Sequence, residues 1–184
     1  MRDLIQHIES GGELSRGQVG RAVEQLLDAE RPAVLKADFL AALRARGETP
    51  EEIAGFADGL LAHAEEPAIA AADCPGPLID ICGTGGDKLG LFNISTAAMF
   101  VVAACGACVV KHGNRGITSR SGGADVLEAL GVAVELAPAR ARDVLLRCGA
   151  VFLFAPRYHP AFAAVAPARR ELAARGQSSI FNIL

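Results

Sequence analysis

The chain has 184 residues, 51% apolar and 21% charged, and its 18 Lys+Arg against 21 Asp+Glu leave a net charge of −3. This balance buries a sizeable core and excludes a disordered chain, a broad basic field for nucleic acid and attraction to an anionic membrane. Trp is absent and aromatic residues make up 5%, which excludes base-stacking platforms.

The first residues, Met1-Arg2-Asp3-Leu4, carry no apolar stretch of the secretory kind, so a cytoplasmic chain is expected. Asp3 to Ile8 reads as a short amphipathic helix. Ser15-Arg-Gly-Gln18 is a capping-box pattern opening a helix with Val19, Val23, Leu26 and Leu27 on one face. Val34 to Arg46 repeats that periodicity through Leu35, Phe39, Leu40 and Leu43. Thr49-Pro50-Glu51-Glu52 begins a fourth helix carrying Ile53, Phe56, Leu60 and Leu61. Nothing in these helices carries chemistry, so packing and dimerisation are their expected roles.

Pro67, Pro75, Gly76 and Pro77 suggest a hinge, after which the pattern changes. Strands are expected at 78–82, 107–110, 132–136 and 151–154, alternating with helices at 94–105, 123–130, 140–148 and 162–174. That alternation gives an α/β fold class with a mostly parallel sheet. Residues 1–72 are therefore read as a small helical domain and 73–184 as the first part of an α/β domain. The uncharged run from Leu89 to Val110 is broken by Asn93, Ser95, Thr96 and Gly106, so it reads as a buried helix and a buried strand rather than a membrane span. Five cysteines at no framework spacing, including Cys105-Gly-Ala-Cys108, read as small buried hydrophobes.

Half of the 20 glycines lie between Gly83 and Gly131, in two loops that follow strands. Gly83-Thr84-Gly85-Gly86-Asp87 leads to Asn93-Ile94-Ser95-Thr96 at a helix start, where backbone N–H groups and the helix dipole favour an anion. Neither the dinucleotide fingerprint nor the P-loop pattern fits it. The second loop, Lys111 to Gly123, combines three cations with hydroxyl, amide and glycine groups, a composition suited to a diphosphate. His112 reads equally as a packed histidine or a ligand contact.

Taken together, GTGGD, FNIST, KHGNR, SGGADVLEALGV, Arg157-Tyr158-His159-Pro160, the run around Arg169 and the final IFNIL resemble the anthranilate phosphoribosyltransferase family over essentially the whole chain. The resemblance implies a helical domain beside an α/β domain of the nucleoside phosphorylase/phosphoribosyltransferase type, a homodimer through the helices, and a glycosyltransferase activity. In that reaction anthranilate and 5-phosphoribosyl 1-diphosphate, with Mg²⁺, give N-(5-phosphoribosyl)anthranilate and pyrophosphate in tryptophan biosynthesis. By the same resemblance Gly83, Gly86, Asp87, Asn93, Ile94, Ser95 and Thr96 bind the phosphoribosyl diphosphate. So do Lys111, His112, Gly113, Asn114, Arg115, Gly116, Ile117, Thr118, Ser119 and Gly123. Ser95 touches Mg²⁺, while Gly83, Asn114 and Arg169 contact anthranilate and His112, Tyr158 and His159 line its entry.

The chemistry needs charge neutralised on a leaving diphosphate and an amine positioned, so no general base is nominated. Lys88, Leu91, Gly116 and Gly123 depart from the family's usual residues and imply altered diphosphate binding. Two alternatives are a pyrimidine nucleoside phosphorylase-like enzyme and a non-catalytic, diphosphate-binding or dimerising fragment. The apolar ending at Leu184 and the family's longer chains imply a truncated protein lacking a later Mg²⁺-binding acidic pair.

Overall fold

In a computed structural model, residues 1–83, 92–116 and 121–184 are described, and they form two compact units, Met1–Ala64 with His159–Leu184, and Glu65–Tyr158. The first unit holds α1 (Arg2–Glu9), α2 (Arg16–Leu27), α3 (Ala33–Arg46) and α4 (Pro50–Leu61), with α9 (Pro160–Ala174) and a 3₁₀ turn at Ile180–Asn182. Both capping boxes form: Ser15 with Gln18, and Thr49 with Glu52 behind Pro50. Leu4, Ile8, Val19, Val23, Leu26, Phe39, Leu40, Leu43, Phe56 and Leu60 make the core, joined by Val165, Leu172 and Ile180. Leu61, expected on that face, is exposed, because it lies just off the stripe set by Phe56 and Leu60.

Glu52 locks this unit. Its carboxylate accepts Leu14 N–H at 2.7 Å and Thr49 N–H at 2.9 Å and also pairs with Arg46. Burial alone would push this carboxyl up, but the hydrogen bonds from Thr49, Arg46 and Leu14 outweigh it and hold it below the ordinary glutamate value.

The second unit contains β1 (Leu78–Asp80), α5 (Ile94–Ala104), β2 (Cys108–Gly113), α6 (Gly123–Ala129), α7 (Pro138–Cys148), β3 (Ala150–Phe154) and α8 (Ala155–Tyr158). The strands form a parallel sheet in the order β1-β2-β3, with Leu78 opposite Cys108 and Lys111 opposite Phe152. Side chains alternate across β2 and β3. Val109, Phe152 and Phe154 share one core with Met99, Ala124, Leu127 and Val134, while Cys108, Val151 and Leu153 share another with Ala141, Leu145 and Tyr158. Close backbone approach explains Gly76, where a Cβ would fall 2.0 Å from Gly106 O.

Several expectations change. By packing, the two compact units part at 64/65 and again at 158/159, because α9 buries Val165, Ala168 and Leu172 in the helical core; the expected domains 1–72 and 73–184 are a division along the sequence. The Pro-rich stretch is not a loose hinge: Ile69 and Cys74 pack on the α/β unit, while Arg157–Glu65 and Arg142–Asp73 pair across it. Residues 132–136 form no strand; Val134 and Leu136 pack into two different cores instead of a ladder. β2 runs on to Gly113 because β3 offers partners through Phe154, so Lys111 and His112 stand on a strand, not a loop. Helix α7 begins at Pro138, whose fixed φ suits a first helical position. Helix α5 is only half-buried: Met99 faces the core, while Phe100 and Val101 are 46% and 64% exposed, with no described element over them. Of the cysteines only Cys108 is buried, Cys74 is half-buried, and Cys82, Cys105 and Cys148 are exposed. Among the described residues no helix is long and apolar enough to cross a membrane.

Candidate anion-binding site

The carboxyl ends of β1 and β2 lie side by side, where parallel α/β sheets receive ligands. Lys111 projects from β2 on the same face as Val109 and is 4% exposed. Its Nζ donates to Ile81 O at 3.1 Å and to Ser95 Oγ at 2.8 Å, which uses two of its three donors. Burial pushes this ammonium below the ordinary lysine value.

Ser95 and Thr96 occupy the first turn of α5, whose N-terminal residue Asn93 makes no side-chain cap. Asn93 instead donates from Nδ2 to Ser121 Oγ at 3.2 Å, so it ties the two loops together. The uncapped amides of this turn carry the positive end of the helix dipole. Thr96 is 2% exposed, and its Oγ1 has no hydrogen-bond partner among the described residues. A Cβ at Gly123 would lie 3.0 Å from that oxygen and 3.5 Å from Lys111 Cε, and one at Gly83 would lie 3.4 Å from Ser95 Oγ. Gly83, Ser95, Thr96, Lys111 and Gly123 thus line one niche holding a desolvated cation, a hydroxyl unpartnered among the described residues and a helix N-terminus without a side-chain cap. Its chemistry is that of an anion site.

Residues 114–116 sit beside this niche. Asn114 Oδ1 accepts Arg115 N–H at 2.8 Å, and Asn114 O accepts Ala124 N–H at 3.3 Å. Asp125 Oδ2 accepts Gly116 N–H at 2.8 Å and Gly122 N–H at 2.6 Å; these two bonds hold its carboxyl below the ordinary range. Gly122 leaves no room for a side chain, since a Cβ would meet Gly116 N at 2.4 Å. Arg115 donates to Glu128 at 2.6 and 3.2 Å and to Glu135 at 2.9 Å, which raises its guanidinium further above the ordinary value.

The remaining expected residues are more dispersed. His112 alternates to the sheet face opposite Lys111, and Gly113 packs against the Phe152 ring. Ile94 is exposed at the start of α5. Tyr158 is buried in the α/β core, its hydroxyl donating to Leu136 O at 3.0 Å, and burial pushes its pKa up. In the helical unit, His159 lies edge-on to Phe162 with centroids 6.0 Å apart, and burial lowers its pKa. Arg169 stands over the Phe181 ring at 5.8 Å. Gly86, Asp87, Ile117, Thr118 and Ser119, with Lys88 and Leu91, lie outside the described residues. The sequence reading missed Asp125, Glu128 and Glu135, although an acid at the third position of a helix after Gly122 is a capping signal.

No cluster of three His, Cys, Asp or Glu side chains suited to a metal ion occurs among the described residues. The Ser95 hydroxyl is a hard oxygen donor of the kind Mg²⁺ takes alongside substrate phosphates. It fits the ion as one ligand among several.

A helical bundle, a parallel sheet and an anion niche at its carboxyl edge define the class. The chain belongs to the glycosyl transferase family: the helical bundle domain of that family matches residues 2–64 and its a/b domain residues 75–184. Anthranilate phosphoribosyltransferase of Syntrophomonas wolfei is 45% identical over 98% of this chain and 51% of its own length. The enzyme of that name from Thermosynechococcus vestitus is 47% identical over 99% of this chain and 51% of its own length. The crystal structure of anthranilate phosphoribosyltransferase from Thermus thermophilus superposes with a TM-score of 0.78 at 41% identity, covering 98% of this chain and 53% of that one. The Saccharomyces cerevisiae enzyme in complex with PRPP and Mg also gives 0.78, at 26% identity over 100% of this chain and 54% of its own. The chain spans about half the length of the curated relatives it matches.

Proposed function

We propose that this chain carries the phosphoribosyl diphosphate-binding part of an enzyme that joins anthranilate to 5-phosphoribosyl 1-diphosphate in tryptophan biosynthesis, in the cytoplasm. The observation that carries the reading is the niche itself: a buried ammonium, a buried hydroxyl unpartnered among the described residues and a helix N-terminus without a side-chain cap converge at the ends of β1 and β2. A diphosphate satisfies all three at once. Similarity that runs along this whole chain, and along about half of each enzyme that carries this name, supports the same substrate class.

Lys111 and the first turn of α5 bind the diphosphate and stabilise the charge that grows on it as the anomeric bond breaks. Thr96 donates its hydroxyl, and Gly83 and Gly123 give the ligand close access to backbone. Asn114 is the candidate in the α/β unit for an amide contact to anthranilate, and Arg169 in the helical unit is the candidate fork for its carboxylate, with His112 and His159 as further candidate contacts. Tyr158, buried in the α/β core, is not on a surface that anthranilate reaches. Gly86, Asp87, Asn93, Ile94 and residues 112–114 and 116–119 complete the diphosphate contacts in this reading, and the Arg115 guanidinium, held by Glu128 and Glu135, is not counted among them. Ser95 would hold Mg²⁺ together with diphosphate oxygens, and the ion would neutralise charge on the leaving group.

The helical unit is proposed to pair with a second copy. A surface cavity of about 610 Å³, lined by Ile8, Asp38, Ala41, Ala42 and Ala45, offers small residues rimmed by charge that allow close helix approach. A dimeric mass in solution, lost in Ala42→Arg, supports this; a monomer at all concentrations overturns it.

A protein as long as these relatives that carries this chain, mixed with anthranilate, 5-phosphoribosyl 1-diphosphate and Mg²⁺, is expected to release pyrophosphate as the fluorescence of anthranilate falls. Tight binding of the diphosphate substrate without turnover would support the non-catalytic module. Phosphorolysis of thymidine or uridine would support the nucleoside phosphorylase reading and overturn this one.

A further inference from the structure

We infer that Arg115 positions the 114–116 turn from behind and does not itself contact the anion. Its Nε and Nη2 spend three hydrogen bonds on Glu128 and Glu135, and its guanidinium carbon lies 4.5 Å over the centroid of the Phe154 ring. Phe154 stands opposite Gly113 in the β2–β3 register, so Arg115 folds back over the end of β3. Turning it toward a ligand would strand two carboxylates and give up the ring contact. One cation against two carboxylates also leaves this cluster net negative, which repels an anion rather than attracting it.

The backbone is held in the same direction. Asp125 collects the Gly116 and Gly122 amides, and Ala124 N–H reaches Asn114 O. Three acidic side chains and one ring therefore grip residues 114–116 from the side chain of Arg115 and from the main chain. Among the described residues of the two loops, the cation left to meet a diphosphate is Lys111, sixteen residues from its partner Ser95. Arg115 acts by fixing Asn114 and the Gly116 amide. This assignment deepens the diphosphate reading and rests on it for its effect on binding, though not for the geometry.

The test uses inorganic pyrophosphate and the 184-residue chain, with Arg115→Met, Arg115→Lys, the double variant Glu128→Gln/Glu135→Gln, and the triple variant. Titration at two ionic strengths gives affinity and its salt dependence, and hydrogen exchange without ligand follows the Gly116 and Gly122 amides. If Arg115 is a positioning residue, removing the two negative charges weakens pyrophosphate about fivefold, as Arg115→Met does, and the triple variant loses no more. The salt dependence stays that of the parent, exchange at Gly116 quickens in every variant, and Arg115→Lys fails to rescue because lysine lacks the fork. If the acidic double variant binds tighter while Arg115→Met alone weakens binding with a shallower salt dependence, Arg115 is a ligand contact and the inference is overturned. A parent that binds no pyrophosphate refutes the diphosphate reading instead. Exchange at Gly116 then decides the positioning role alone: faster exchange in the variants upholds it and unchanged exchange overturns it.

Discussion

Lys111 Nζ lies 2.8 Å from Ser95 Oγ, and this contact joins the end of β2 to the first turn of α5. It brings the cation of one glycine-rich segment against the hydroxyl of the other. Because the ammonium is buried, its charge acts with little screening, and the niche depends on it more than on any exposed cation nearby.

Lys111→Met is expected to weaken pyrophosphate binding roughly 10–100-fold, the scale of a charge-assisted hydrogen bond in a dry site. Burial holds the lysine below its ordinary value of 10.5, so in the parent the added affinity should fade as pH rises toward 10.5 and below it. Its contribution to stability is full above 10.5 and lost as pH falls through the depressed value, so methionine should not lower the thermal midpoint at neutral pH. Titration calorimetry across pH for parent and variant checks both signs. A parent-to-variant affinity ratio that does not change with pH refutes the assignment.

Thr96→Val separates stability from binding. The Oγ1 of Thr96 is buried and unpartnered among the described residues, so a methyl in its place should stabilise the unliganded chain by about 1 kcal/mol, or ~2–4 °C in thermal midpoint. Pyrophosphate affinity should fall about tenfold in the same variant. A loss of both stability and affinity would mean the hydroxyl serves the fold.

Glu52→Gln should cost about 2 kcal/mol at pH 7, the size of hydrogen bonds made to a buried charge, or ~4–8 °C. The depressed carboxyl contributes stability that is full above its ordinary value of 4.5 and lost as pH falls through its lower folded value. The gap between parent and variant should therefore narrow below pH 4.5. Thermal melts followed by circular dichroism from pH 7 down to about pH 3 measure it, and a constant gap contradicts the role.

Two glycines should respond oppositely to alanine. Gly20 is exposed within α2, with open space where a methyl would sit, so Gly20→Ala should stabilise by about 1 kcal/mol. Gly76→Ala would drive a methyl into Gly106 O and should destabilise by about 3 kcal/mol or more. Chemical denaturation of the two variants gives both values, and equal effects would refute the close approach at Gly76.

Local signals were legible in the order of residues. Ser15 with Gln18, and Thr49-Pro50 with Glu52, started helices where their hydrogen bonds predict, because a cap needs only neighbours in the chain. The strand–helix alternation and the two glycine-rich segments likewise pointed to a parallel sheet with an anion site at its edge. What is set by distant partners was not legible. Val132 to Leu136 has the texture of a strand but gains no ladder, and β2 extends through Lys111 only because β3 lies beside it. The grouping of α9 with the helical core depends on burial between segments far apart in the chain.

By itself, then, the sequence determined the helix starts, the α/β alternation and which residue types make up the candidate anion site, since these follow from short-range hydrogen bonding and residue type. Only the tertiary structure decided which cation faces that site. Lys111 and Arg115 are equally charged on paper, but burial against Ser95 turns one toward the niche, and Glu128, Glu135 and the Phe154 ring draw the other away.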